Sequence, residues 1–419
     1  MSTAVFEELP LGPLRLRNRF IKAATNEGMA PAGEISASLV EFHRRMAAGG
    51  VGMTTLAYCA ISPDGRTFID QPRLDADSLP GLRRLTEAVH REGAAACAQL
   101  THGGAFTFLP RLEEHPRPIS ADGGFNPPGL MAGRWFKRGA TEAELARLTA
   151  QFVSAARRAR EAGFDAVELH LGHGYLLSQF LSPAYNHRCD AYGGSADKRV
   201  RFPQQVLEQV LDAVGGDLAV LCKLSITEGH TKGSPLPDII HFCQQLEKAG
   251  AHMLVLSAGM NVEAPWTIFG SPLPMRSMTA AARGIFRPLS ALMALRQPRK
   301  AFAPLYLLPY SAAIRQQVTL PLCYLGGVQS PDQARQLLDE GFDAIAMGRA
   351  LIHQPELIRH WQAGERHRSG CTACNLCVAE MYGPRGTHCV LTDGPVAATH
   401  PAAQALVASR QPPRQAQGR

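Results

Sequence analysis

The sequence has no apolar run long enough to cross a bilayer. Its longest such stretch, 301–314, is interrupted by Pro304 and Pro309. The N-terminus, MSTAVFEELPLGPLRLRNRF, lacks the unbroken apolar core of a secretory signal. These two absences predict a cytoplasmic protein with no membrane partner. The net charge of +7 comes from scattered Arg, with no basic block interleaved with aromatics, which argues against nucleic-acid binding. No G-x-G-x-x-G follows any β-rich run, which counts against a dinucleotide-binding Rossmann domain. Charged residues are 19% and apolar residues 45%, so 419 residues hold ample core for one large domain with a tail or two ordinary ones. Six of the ten cysteines (Cys59, Cys97, Cys189, Cys222, Cys243 and Cys323) are scattered, mostly in apolar segments, and read as reduced core thiols.

One phrase repeats: a helix end, a Gly, then a short β-rich run. It appears at 47–58 (AAGGVGMTTLAY), 91–102 (REGAAACAQLTH), 161–170 (EAGFDAVELH), 248–259 (KAGAHMLVLSAG) and 339–350 (DEGFDAIAMGRA). Segments 17–27, 214–225 and 317–327 supply three more strands of the same type. Gly tolerates the left-handed conformation that ends a helix, so each phrase reads as a helix feeding directly into a parallel strand. Eight such strands separated by helices predict a (β/α)8 TIM barrel. The domain expectation is a barrel over 1–365, a short Cys-containing extension over 366–395 and a disordered tail over 396–419. Segments 103–140 and 262–310, rich in Gly or Pro and irregular, read as lids over the catalytic face.

The most informative stretch is 161–183, EAGFDAVELHLGHGYLLSQFLSP. Ala166, Glu168 and His170 share one face of its strand, Val167 and Leu169 the other. A strand buried on both faces that ends in His170, His173 and Tyr175 delivers chemistry at the C-terminal mouth of a barrel. Read alone, H-x-x-H also suits a metal. Glu168 points inward and reads as an ion-pair partner rather than a base.

These motifs carry a family resemblance: HGYLLSQFLSP followed by N-x-R-x-D-x-Y-G-G-S, with LGPLRLRNRFIKAAT, AYCAISPDGR, AQLTHGG, LGGV and AIAMGRALI around it. From about Leu11 to Cys389 the chain resembles the old yellow enzyme family, in particular the barrel of its 2,4-dienoyl-CoA reductase and trimethylamine dehydrogenase branch. The resemblance implies an FMN-dependent NAD(P)H oxidoreductase that reduces an activated C=C in a small-molecule substrate by ping-pong hydride transfer. It implies that His170 and His173 bind a substrate carbonyl oxygen and that Tyr175 protonates the α-carbon. It places Gln99 on the flavin pyrimidine edge and Lys223 near flavin N1. Gly326, Gly327, Gly348 and Arg349 fit a phosphate site at strands seven and eight, though such glycines also make tight βα turns. Either Thr25 or Asn26 falls near the flavin O4, and Ala57 contacts the flavin through backbone. Tyr58 is bulkier than the usual occupant of its position, and Ala105 stands where Arg is frequent.

Cys371, Cys374, Cys377 and Cys389 form C-x2-C-x2-C-x11-C after the barrel. Four close thiols in a reducing compartment fit an Fe–S cluster first, zinc second and no metal third. The related branch carries a [4Fe–4S] cluster here, with three residues rather than two between its second and third cysteines. Its multidomain members continue into a further flavin- and nicotinamide-binding region. Two other readings stay open: a Schiff-base lyase using Lys223, and a flavin-binding barrel without turnover. Substrate, NADH or NADPH preference and homo-oligomerisation have no readable code.

Overall fold

The computed structural model describes residues 3–275, 297–298 and 301–392. Eight parallel strands close into a barrel in chain order: β1 Phe20–Lys22, β2 Met53–Ala60, β3 Ala95–Thr101, β4 Ala166–Leu171, β5 Ala219–Ser225, β6 Met253–Ser257, β7 Leu322–Leu325 and β8 Ala344–Met347. Helices between them form the outer layer, so the (β/α)8 expectation holds. Gly50, Gly93, Gly163, Gly250 and Gly341, the five Gly of the repeated phrase, all have φ between +72° and +105°. Each ends its helix in the left-handed region that a side chain disfavours.

Strand alternation divides the core in two. Ala166, Ala219, Leu221, Met253, Val255, Cys323 and Ala346 fill the barrel interior. Val167, Leu169, Val220, Cys222 and Leu254 pack outward against the helices. An N-terminal hairpin, Leu9–Leu11 paired with Leu14–Leu16, adds Leu9, Leu11 and Leu16 to the inner cluster. Its Gly12 lies against His252 at the start of β6, so the hairpin plugs the N-terminal end of the barrel and leaves the opposite mouth for chemistry.

The segment 103–140 is more ordered than a plain loop. Ile119–Ser120 and Gly124–Phe125 both pair with Phe136–Gly139 in a small sheet. The helix that follows, Glu142–Glu161, starts with a capping box formed by Thr141 and Glu144. Beyond the barrel, the segment around the helix Leu376–Glu380 docks back on the mouth. Part of the 262–310 lid and the tail assigned to 396–419 lie outside the described residues. Among the described residues, no helix is long and apolar enough to cross a membrane.

Candidate active site

Alternation on β4 sends Glu168 and His170 inward with Ala166. The register sets Gln99 of β3 beside Glu168, and Lys223 of β5 beside His170. The Gln99 amide donates to Glu168 Oε1 at 2.7 Å. Burial pushes the Glu168 carboxyl up, and Lys223 opposes that push. Desolvation lowers Lys223 in turn, with Glu168 opposing. Glu168 is thus the partner of a buried amide and a buried cation.

The chain then turns sharply. His173 adopts φ +62°, a left-handed conformation rare outside Gly and held here by its surroundings. Its amide donates to Ser225 Oγ at 3.0 Å, and its Nε2 lies 2.8 Å from Ser257 Oγ. His170 Nδ1 accepts from the Gly172 amide at 3.2 Å, which leaves Nε2 as the protonated nitrogen of a neutral ring. The two imidazoles meet edge to face with centroids 4.9 Å apart, and Tyr175 lies 4.6 Å from His170. Burial drives both His well below their ordinary value, so both stay neutral donors at pH 7. Burial raises the Tyr175 phenol to about 12, a proton holder at neutral pH.

Gln179 gives the polar residue inside the apolar run GYLLSQF a physical reason. It is fully buried and donates to Gly174 O at 2.7 Å and Gly103 O at 3.3 Å. Its Oε1 accepts from Ala105 N and Ser120 Oγ. One side chain therefore ties the turn after β4 to the 103–140 segment. Arg188 performs a similar task, donating to Ala121 O and Ala140 O at 2.7 Å while pairing with Asp190.

Ala57 and Tyr58 enter the mouth together. Leu56 pairs with Ala98 but Cys59 with Leu100, so β2 carries one extra residue between them. This β-bulge breaks the alternation, and both Ala57 and Tyr58 join Tyr175 in one buried cluster with Phe106 and Phe68. The Tyr58 and Tyr175 rings are 5.3 Å apart.

Thr25 is tied to a pair that sequence reading passed over. Lys22 Nζ lies 2.5 Å from Glu27 Oε1, both buried, and 2.9 Å from the partly buried Thr25 Oγ1. Asn26 uses Oδ1 to accept from Gly28 N and its carbonyl to accept from Thr387 Oγ1. A Lys inside the apolar run FIKAA was the available signal. Ser225, Ser257 and Asn261, also missed, belong to a second sign: polar residues at or just beyond strand ends.

The phosphate candidates cluster at β7 and β8 but serve the protein as well. A side chain on Gly326 would meet Tyr324 and Leu307; one on Gly327 would meet Phe302 and Tyr306. Beside Gly348 the nearest atom is Thr25 Cγ2, at ordinary contact distance. The Arg349 guanidinium already donates to Ser271 Oγ, Asn375 Oδ1 and Phe269 O, and it covers the Phe269 and Phe302 rings. Cys371, Cys374, Cys377 and Cys389 line one small cavity beside Arg349. Burial raises Cys371 and pushes Cys377 up to about 12, and His353 Nδ1 lies 3.3 Å from Cys389 Sγ. Among the described residues, no three His, Cys, Asp or Glu converge as metal ligands. As placed, the four thiols do not form a ligand set.

Comparison with known proteins agrees with this geometry. Residues 4–268, more than half of the chain, match the NADH:flavin oxidoreductase / NADH oxidase family. The 4,4'-dithiodibutanoate disulfide reductase of Rhodococcus erythropolis is 40% identical over 93% of this chain and 95% of that relative. The NADPH dehydrogenase of Bacillus subtilis (strain 168) is 28% identical over 86% of this chain and 94% of its own. The solved old yellow enzyme homologue from Zymomonas mobilis superposes with a TM-score of 0.67 at 23% identity, over 87% of this chain and 94% of that one, and shows the same fold. The chain belongs to the NADH:flavin oxidoreductase / NADH oxidase family and is an FMN-dependent NAD(P)H oxidoreductase of the old yellow enzyme type.

Proposed function

We propose that the enzyme reduces an activated C=C, of enone or enoyl type, at the mouth formed by His170, His173 and Tyr175. One observation carries this reading: at the end of β4 the neutral His170 ring lies 4.9 Å from the neutral His173 ring and 4.6 Å from the protonated Tyr175 ring, centroid to centroid. Gln99, Lys223 and Thr25 offer a donor set suited to the acceptor-rich pyrimidine edge of a flavin. Gly326, Gly327, Gly348 and Arg349 would hold its phosphate, with Arg349 exchanging one of its present partners. FMN, when bound, takes a hydride from NAD(P)H and gives it to the acceptor. The protein's own part is electrostatic and protonic. His170 and His173 donate to the carbonyl oxygen as charge develops on it, and Tyr175 releases its hydroxyl proton to the α-carbon. Lys223 supplies positive charge beside the flavin edge. Family membership displaces the Schiff-base lyase reading of Lys223.

A second acceptor is favoured by the end-to-end match to the Rhodococcus enzyme: an organic disulfide. In that case hydride attacks one sulfur, the S–S bond breaks, and Tyr175 protonates the departing thiolate. The cysteines of the extension take part in neither scheme. Anaerobic mixing of the reduced enzyme with 2-cyclohexenone or with 4,4'-dithiodibutanoate separates the two. Rapid return of the flavin bands with the enone supports the C=C reading, and return with the disulfide alone rejects it.

A further inference from the structure

Tyr58 stands apart from the residues used so far. Simple alternation along β2 would point it away from Ala57, among the outer helices. The bulge between Leu56 and Cys59 instead turns it into the mouth, where it is buried against Tyr175. Bulges of this kind re-aim a side chain beside an active site. Backbone contacts fix the position: Gln71 Nε2 donates to Tyr58 O at 2.7 Å, and Gln71 Oε1 accepts from the Thr67 amide. An apolar residue would fill this space without adding a second buried hydroxyl.

We propose that Tyr58 is the positioning and proton-relay residue for Tyr175, its hydroxyl donating to the Tyr175 oxygen. The inference rests on Tyr175 being the proton donor of the reaction proposed above. As hydride reaches the β-carbon, the Tyr175 O–H bond breaks and a C–H bond forms at the α-carbon. The Tyr58 O–H bond then breaks as the Tyr175 O–H bond re-forms. Negative charge passes to the Tyr58 oxygen and is neutralised by a proton from solvent. Tyr382 of the extension lies within electrostatic reach of both phenols and is 53% exposed, which puts the solvent boundary one ring away.

The electrostatics agree. Burial raises the Tyr175 phenol to about 12, and the neighbouring Tyr58 and Asn261 side chains offset part of that rise. Burial first, and then the neighbouring Tyr175 and Tyr382 phenols, raise Tyr58 as well, so it enters the reaction protonated. Thr67, whose buried hydroxyl has no hydrogen-bond partner, offsets part of the rise at Tyr58. The groups facing Tyr175 are His170 from β4, Tyr58 from β2, Asn261 beyond β6, Phe106 from the lid and Tyr382 from the extension. Lys223 is the fixed charge that acts on the two imidazoles.

The test places 3,5-difluorotyrosine at position 175, which brings the phenol into an accessible pH range, and follows its titration by ¹⁹F NMR in the FMN-loaded protein. With Tyr58→Phe in the same chain, the midpoint rises by about half a pH unit or more. An unchanged or lowered midpoint overturns the proposal. This readout needs no turnover, so it can fail while enone reduction stands, and it can succeed where the enone is rejected. A second measurement is kinetic. Tyr58→Phe in the otherwise native enzyme slows reoxidation by the acceptor about tenfold and leaves flavin reduction by NAD(P)H unchanged. Equal slowing of both halves marks a purely structural role and rejects the relay. Should Tyr58→Phe fail to fold, 3,5-difluorotyrosine at position 58 is used. It shifts the pH profile of reoxidation to lower pH, and an unmoved profile overturns the proposal.

Discussion

Thr387 of the C-terminal extension donates through its hydroxyl to Asn26 O at 2.6 Å and through its amide to Glu27 O at 2.7 Å. The extension is therefore fastened to the loop that leaves β1, beside Thr25. Asn375 of the same segment holds Arg349, and Tyr382 packs on Phe68 with ring centroids 5.7 Å apart. Three separate points of the proposed flavin-binding region thus lean on residues beyond the barrel.

That dependence predicts that Thr387→Ala loosens FMN without touching the chemistry. Loss of one hydroxyl-to-carbonyl bond of about 1 kcal/mol corresponds to a roughly fivefold rise in the FMN dissociation constant. Fluorescence titration of the apoprotein checks it. An unchanged constant would show that the extension is a passenger.

Chelation gives a complementary result. Because no proposed step runs through Cys371, Cys374, Cys377 or Cys389, prolonged treatment with a strong chelator leaves the rate of flavin bleaching by NAD(P)H unaltered. Iron, zinc and sulfide analysis of the untreated protein accompanies the assay. Loss of bleaching in step with loss of metal would place the cysteines in the electron path.

The buried pair beneath Thr25 makes a stability prediction. Lys22 and Glu27 are fully enclosed, and Glu27 Oε2 and His43 Nε2 have no hydrogen-bond partner. Lys22→Met alone strands the carboxylate and costs about 3–5 kcal/mol of unfolding free energy. Lys22→Met combined with Glu27→Gln recovers much of that loss, because no uncompensated charge remains. Urea denaturation of the three variants and the parent measures both numbers.

Acid sensitivity follows from the histidines. Burial depresses His102 to about 4 and drives His43, His170 and His173 well below their ordinary value. Between about pH 6.5 and 4 the unfolded chain binds protons at these sites and the folded one does not, so stability falls as pH falls through that window. For His102 alone the loss approaches about 3 kcal/mol at the lower end. His102→Gln should flatten the stability slope there while leaving stability at pH 8 little changed relative to its own plateau. A slope equal to that of the parent contradicts the assignment.

How far the sequence could be read depended on periodicity. The inward set Ala166, Glu168 and His170 was legible because β4 keeps strict alternation, and the Gly-terminated helices were legible because each needs a left-handed residue. Tyr58 was not, since a bulge of one residue leaves no mark on a period of two. Lys22 escaped for a different reason: a buried cation is recognisable only once its carboxylate partner five residues on is brought against it. Arg349 was placed correctly near β8, yet its engagement with Ser271 and Asn375 depends on chain segments far apart in sequence. The 103–140 sheet, built from strands of two to four residues, lies below what patterning resolves.

The central claim is that hydride leaves NAD(P)H for FMN and then reaches an acceptor held by His170, His173 and Tyr175. An anaerobic two-stage stopped-flow experiment tests it most directly. The account predicts that NAD(P)H bleaches the flavin, that 2-cyclohexenone restores it, and that His170→Ala slows only the second stage, by about a hundredfold. Restoration by enone at the parent rate in His170→Ala, or flavin that NAD(P)H never bleaches, would contradict it.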